Sequence, residues 1–120
     1  MLAPDDDPFV DLSLTATTAR AILDRAHAER LCAGHFPGDP VLPGAFLAGL
    51  LADLGACLVA TSGPEVALAE VVRCVFRRRV RPDDDIVLVA TRDPAAHAVE
   101  ACVRTSHGIA ATATLRFVTR

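Results

Sequence analysis

The hydrophobic and polar positions divide the chain into one long apolar segment and a later series of alternating segments. Residues 45–60 are apolar on every side except at Asp53, and Pro43 and Gly44 precede them as helix-start residues. This pattern predicts a central, buried helix. Alternating, β-branched residues predict the strands 67–80, 86–91, 98–105 and 109–118. A buried helix followed by antiparallel strands favours an α+β fold, with a sheet wrapped on the helix.

The N-terminal part of the chain gives weaker signals. Residues 1–8 include an acidic run and are expected to form a flexible tail, whereas residues 8–14 alternate weakly and predict a short strand. Residues 15–30 are rich in Ala, Arg, Leu and Glu, which favours a helix by propensity. The whole length, residues 1–120, is expected to form a single domain.

Composition narrows the choice of partners. A hydrophobic fraction of 52% and a mean hydropathy of +0.36 predict a packed core, with some apolar surface hidden in a subunit interface. The net charge of −3 argues against nucleic acid, and five Phe without Trp or Tyr offer few rings on which bases could stack. We therefore expect an oligomer that does not bind nucleic acid.

The cysteines favour a reducing compartment, and neither the cysteines nor the histidines indicate a metal site. The four cysteines are widely spaced and form no CxxC pair, so we expect buried free thiols in a reducing cytoplasm. No signal peptide is recognisable, and the apolar run 40–64 contains Asp53 and lacks a basic flank, so no membrane span is expected. The histidines show no ligand spacing, and neither a metal nor a cofactor is expected.

The most specific feature is the loop before the helix. Residues 32–44 hold so many Gly and Pro residues that they must form an irregular loop, and long loops of this kind are usually functional. The segment Gly34-His35-Phe36-Pro37-Gly38-Asp39-Pro40-Val41-Leu42-Pro43-Gly44 closely resembles the signature of the 3-hydroxyacyl-acyl-carrier-protein dehydratases. The resemblance extends over residues 29–117, and includes a strand-to-turn motif at Phe76, Arg78, Val80, Pro82 and Asp84.

This resemblance implies a hot-dog fold, in which an antiparallel sheet wraps one long helix and paired subunits form active sites at their interface. It also implies that residues 15–28 are largely strand, against their helical propensity. The substrate would be a 3-hydroxyacyl chain held by the phosphopantetheine of an acyl carrier protein, in fatty-acid, polyketide or polyene synthesis. Dehydration would then give the trans-2-enoyl thioester.

The resemblance assigns His35 as the catalytic base, and its chemistry fits, because imidazole titrates near neutral pH. Alternatively, His35 is an ordinary loop histidine that only forms hydrogen bonds with the backbone. Gly44, at the helix start, would offer an N–H to the developing thioester oxyanion. Val41, Phe36 and Gly49 would line the substrate site. Asp39 would shape the loop.

The chain departs from the family at the second catalytic group. Relatives carry a Glu or Asp on the helix where this chain has Gly49. Asp53 lies one turn further on the same helix face, and an apolar setting should raise its pKa, as a general acid requires. Asp53 is therefore the candidate acid, although it could equally bond a loop or face a wet interface.

Two other interpretations remain open. The chain could be a half-catalytic or non-catalytic subunit of a heterodimeric dehydratase, in which a related hot-dog subunit supplies the acid; otherwise a homodimer is expected. A hot-dog thioesterase is the third candidate, and the loss of a carboxylate at Gly49 weakens it too. The basic stretch Arg77, Arg78, Arg79 and Arg81 is a candidate docking surface for an acidic carrier protein, or simply a solvated strand face that discourages edge pairing.

Overall fold

The computed structural model describes residues 7–32, 41–60, 66–92 and 98–119. In these ranges six strands form one antiparallel sheet in the order β1-β2-β4-β5-β6-β3, and the longer helix, α2, contacts β2 to β6. The elements are β1 Phe9–Leu14, β2 Thr18–Leu23, α1 Arg25–Cys32, α2 Gly44–Ala60, β3 Val66–Phe76, β4 Val87–Arg92, β5 Ala98–Thr105 and β6 Gly108–Thr119. The α+β hot-dog architecture is confirmed.

The core lies between α2 and the inner face of the sheet. Strand alternation supplies one side of it, because every second residue of β4 and β5 turns inward and is buried. Leu51, Leu54 and Leu58 of α2 supply the other side and are fully buried. Burying this much aliphatic surface is the main force that holds the helix on the sheet.

The segment 15–30 is strand in its first half and helix in its second. Strand β2 places Ala19, Ala21 and Leu23 inward, and they are buried. The helix α1 then begins because Asp24 caps it, accepting a hydrogen bond from His27 N–H through Oδ2 at 3.1 Å. The helical propensity therefore predicted α1 correctly but not β2, and the expectation that residues 15–28 are largely strand holds only as far as Leu23.

Strand β3 ends four residues earlier than its predicted end at Val80. The amides of Arg77 and Arg78 both donate to the carbonyl of Ala110, at 2.7 and 3.2 Å, which halts the regular pairing with β6. Val80 is buried, and its carbonyl accepts a 2.7 Å hydrogen bond from Leu42 N–H. Val80 therefore does not extend the sheet, and its carbonyl instead holds the segment that leads into α2.

Helix α2 is not buried on every side, so that expectation was wrong for the single chain. Phe46, Gly49 and Asp53 are exposed on the face away from the sheet. Edge strand β3 also exposes apolar side chains, with Val72 54% accessible. Both features are exposed apolar surface of the kind that composition predicts for a subunit interface, and the interface itself stays a prediction.

The other predictions at this level have mixed outcomes. All four cysteines carry free thiols, as expected, but only Cys32 is buried. The turn before β4 is confirmed, since Arg81 N–H donates to Asp84 Oδ2 at 2.8 Å. Within the described ranges, no helix combines the length and the hydropathy of a membrane span.

Candidate active site at the start of helix α2

The first turn of α2 presents backbone N–H groups that the helix does not use. The carbonyl of Pro43 accepts hydrogen bonds from Phe46 N–H at 3.0 Å and Leu47 N–H at 3.2 Å, which makes Pro43 the N-cap residue. The N–H groups of Gly44 and Ala45 have no acceptor in the described part of the chain. Free donors at the positive end of the helix dipole favour an anion or an oxygen that gains negative charge.

A groove of about 390 Å³ lies directly beside these donors. Its walls are the segment that leads into α2 and the residues that follow β3, so the hydrogen bond between Leu42 and Val80 holds the two walls together. The lining is apolar near the helix and basic at the rim, and consists of Val41, Leu42, Gly44, Leu47, Phe76, Arg77, Arg78 and Arg79. An apolar groove with a few polar groups at one end is the usual form of a small-molecule site.

Gly44 has a close aromatic neighbour in this groove. A Cβ atom placed on Gly44 would lie 3.0 Å from Cζ of Phe76 and 3.2 Å from both of its Cε atoms. The ring therefore points end-on at the space that a side chain at position 44 would need. A side chain at position 44 would therefore have to displace the ring of Phe76 by a few tenths of an ångström, which favours glycine here.

The exposed face of α2 carries Gly49, where relatives have a carboxylate, and Asp53, the candidate acid. Around Gly49 the space is open, since a Cβ there would meet no atom within 4 Å. Asp53 has no hydrogen bond or ion pair within the described ranges. Asp53 is thus a carboxylate on the exposed helix face that no described residue engages.

Desolvation by the surrounding atoms raises the pKa of Asp53, although its side chain still reaches the surface. The same effect, together with the nearby charge of Asp53, raises the pKa of the Cys57 thiol one turn further along. Asp53 therefore holds its proton to higher pH than an ordinary aspartate, while Cys57 is held in its neutral form. This direction matches the sequence-based expectation for a general acid.

The structure does not place the basic stretch on a strand face, which was one of its two interpretations. Because β3 ends at Phe76, the arginines from 77 to 81 follow the strand rather than alternate along it, and the first three line the groove. Arg77 and Arg78 have no side-chain partner among the residues described. Positive charge is thereby concentrated at the mouth of the apolar groove.

Several of the proposed site residues lie outside the described residues. These are His35, Phe36 and Asp39. Of the others, Val41 and Gly44 meet in the groove, and Val41 is buried. The helix positions 49 and 53 lie further along α2 and do not line it. Residues of the described ranges form no cluster of His, Cys, Asp or Glu that could hold a metal ion.

Sequence reasoning missed Phe76 and Leu47 as groove residues. Phe76 was noted only as part of the strand-to-turn motif. Its place at the end of β3, immediately before the arginines, was the available signal, because a strand end beside a helix start is where a groove forms. Leu47 carries the ordinary spacing of a core leucine, and nothing in its pattern separates it from Leu50 or Leu51.

Curated relatives of the chain are named as 3-hydroxyacyl-[acyl-carrier-protein] dehydratases. The chain is 42% identical over 65 residues to the 3-hydroxyacyl-[acyl-carrier-protein] dehydratase FabZ of Rickettsia felis, covering 50% of this chain and 45% of that protein. It is 34% identical over 92 residues to FabZ of Oenococcus oeni, covering 71% and 66%. The chain thus spans about half to two thirds of the length of these relatives.

Solved structures share the fold at low identity, and the family match covers nearly the whole chain. The dehydratase heterocomplex ApeI:P from Xenorhabdus doucetiae superposes with a TM-score of 0.73 at 19% identity, over 88% of this chain and 90% of that one. The protein smu.793 from Streptococcus mutans, bound to acetyl CoA, gives 0.76 at 10% identity, over 98% and 95%. The family model described as ApeI dehydratase matches residues 11–114. The resemblance to the dehydratases is confirmed, and the chain belongs to the ApeI-like dehydratase family.

Proposed function

We propose that this protein dehydrates a carrier-bound 3-hydroxyacyl thioester to the trans-2-enoyl thioester in fatty-acid or polyketide synthesis. The observation that carries the proposal is the groove beside Gly44, which joins an apolar wall to N–H donors that no described residue engages and to a set of arginines. The apolar wall suits an acyl chain, and the N–H donors suit the thioester oxygen. The arginines suit a phosphorylated arm. Membership of a dehydratase family supports the same reaction.

In the proposed reaction, His35 removes the proton from the carbon next to the thioester carbonyl. The electron pair moves toward the carbonyl oxygen, which gains negative charge and is stabilised by the N–H of Gly44. As the pair returns to form the new double bond, the C–O bond at carbon 3 breaks. Asp53 donates its proton to the departing oxygen, so that water leaves and the aspartate becomes charged.

Asp53 fits the acid role for two reasons. Its raised pKa keeps more of it protonated near neutral pH, and it lies one helical turn beyond the position that carries the carboxylate in relatives. The open space at Gly49 leaves the approach along the exposed helix face unobstructed. The exposed face of α2 has room for an acyl chain, a water molecule or a second subunit.

The proposed partner is an acyl carrier protein. Such proteins are acidic, and the arginines at the mouth of the groove would attract them and the phosphate of their pantetheine arm. Arg77 and Arg78 are the strongest candidates, because no described residue engages their side chains. Four free thiols are consistent with work in a reducing cytoplasm, which we include in the proposal.

A second candidate is a half-catalytic subunit in a heterodimer, and the exposed face of α2 favours it. Gly49 and Asp53 face outward in the single chain, where a related subunit could contribute its own carboxylate. The ApeI:P structure is itself described as a heterocomplex. In this candidate Asp53 lies at the subunit interface and donates no proton.

The test is hydration of an enoyl-pantetheine thioester, followed by its loss of ultraviolet absorbance, with the purified chain alone. We expect activity that His35→Asn lowers about 10²-fold or more, since a general base contributes 10²–10⁴-fold. Unfolding by urea checks that the variant is folded. Release of free thiol without hydration would identify a thioesterase and overturn the proposal. Activity that appears only after a related hot-dog subunit is added would establish the heterodimer.

A further inference from the structure

We propose that Phe76 selects the substrate by excluding thioesters that are branched at the carbon next to the carbonyl. The inference rests on the proposed function, and it names the part of the acyl chain that this site tests. The side chain of Phe76 is 50% exposed, so it does not fill the core and is free to contact a ligand in the groove.

The ring lies where a branch would have to go. Its tip approaches the Gly44 backbone so closely that even a methyl group there would lie 3.0 Å from Cζ. The N–H of Gly44 is the proposed contact of the thioester oxygen, so the bound carbonyl lies beside the same ring. The neighbouring carbon, which must lose a proton, then has room for hydrogen but not for an additional methyl group on the side of the ring.

Hydrogen bonds fix the backbone on both sides of the groove. Leu42, which lines the groove, is buried, and its N–H donates a 2.7 Å hydrogen bond to the carbonyl of Val80. Phe76 pairs with Ala111 of β6, which is fully buried. The sheet thus fixes the backbone of Phe76, while its side chain lines the groove.

The experiment compares the pantetheine thioesters of 3-hydroxyhexanoic acid and 2-methyl-3-hydroxyhexanoic acid. We measure kcat/KM for each with the whole chain and with Phe76→Ala, Phe76→Leu and Phe9→Ala. The last variant is the matched control, since Phe9 is a half-buried phenylalanine on β1, at the opposite edge of the sheet. Binding of the corresponding unreactive amides, with NH in place of sulfur, is measured by calorimetry.

We expect the wild-type chain to prefer the unbranched thioester, and Phe76→Ala to reduce that preference at least about 10-fold, because one methyl group in a tight apolar site is worth 10- to 200-fold. Phe76→Leu retains part of the preference, and Phe9→Ala retains all of it. An unchanged preference in both Phe76 variants overturns the inference, as does a wild-type chain that accepts both thioesters equally.

The two proposals fail in different ways. A wild-type chain that converts neither thioester contradicts the dehydratase proposal, whereas the ratio of amide affinities still decides the role of Phe76. Equal affinities for the branched and unbranched amides in the wild-type chain overturn that role. If Phe76→Ala does not fold, the more conservative Phe76→Leu variant supplies the comparison.

Discussion

Helix α2 has two faces that are both largely apolar in sequence, apart from Asp53, but differ in their surroundings. Toward the sheet, Leu51, Leu54 and Leu58 are fully buried. Away from it, Phe46 is 46% exposed and Asp53 also reaches the surface. The difference teaches that apolar character alone does not locate the core, because one of these largely apolar faces is exposed in the single chain.

The two glycines within α2 make the comparison sharper. A Cβ at Gly55 would lie 3.0 Å from Cζ of Phe117 and 3.2 Å from Cδ1 of Leu115. A Cβ at Gly49 would meet nothing within 4 Å. Packing therefore requires glycine at position 55 but not at 49, and the absence of a carboxylate at Gly49 has no structural cause in the single chain.

The largest effect is expected from a carboxylate at the buried glycine. Gly55→Glu must displace Phe117 and Leu115 and bury an unpaired charge, which we expect to lower the free energy of unfolding by about 4 kcal/mol or more. Urea denaturation measures this loss. The matched variant Gly49→Glu should remain as stable as the wild type, and equal losses at both positions would contradict the proposed difference between the faces.

Truncating large side chains tests the same difference. Leu54→Ala should cost about 3 kcal/mol, because it removes a fully buried side chain and leaves a cavity. Phe46→Ala, on the other face, should cost less than about 1 kcal/mol in the isolated chain. Thermal and urea unfolding of both variants provide the measurement, and a larger loss for Phe46→Ala would show that its ring is buried in solution.

A smaller effect is expected from Gly49→Ala. Alanine in an exposed helix interior is better than glycine by about 0.5–1 kcal/mol, so the free energy of unfolding should rise by that amount. Gly55→Ala is the control and should be destabilising, since its methyl group meets Phe117. A decrease for Gly49→Ala would mean that the open face is covered in solution.

The smallest effect concerns the charge of Asp53. Desolvation raises its pKa above the ordinary value of 3.8, so the folded chain holds a proton that the unfolded chain has released. Stability contributed by this residue is therefore highest below that value and is lost as pH rises through the raised pKa. Asp53→Asn should give a slightly higher melting temperature at pH 7, and the gain should vanish once the pH falls below 3.8. A gain independent of pH would exclude ionisation as its cause.

The sequence predicted most of the sheet because the strands alternate clearly. The bounds of β5 were predicted as observed, and β6 differed by one residue at each end. Local propensity failed at β2, whose inward residues Ala19 and Ala21 are small and favour helices, although the family resemblance implied a strand there. Only pairing with β1 and β4 makes this segment a strand, and pairing between distant residues is not visible in local pattern.

The site was predicted in part for similar reasons. Gly44 and Val41 were identified from the loop signature, which is local in sequence. The contact between Phe76 and Gly44 joins residues 32 positions apart, and it exists because β3 stops at Phe76. The strand ends there because the amides of Arg77 and Arg78 both donate to the carbonyl of Ala110. No sequence pattern predicts this arrangement.

The central claim is that the exposed face of α2 supplies the catalytic acid. The most direct measurement is the rate of enoyl-pantetheine hydration by the purified wild-type chain, Asp53→Asn, and the double variant Gly49→Glu with Asp53→Asn. We expect Asp53→Asn to lose about 10²-fold or more, and Gly49→Glu to restore at least part of the loss by returning a carboxylate to the same face. Full activity in Asp53→Asn would contradict the claim.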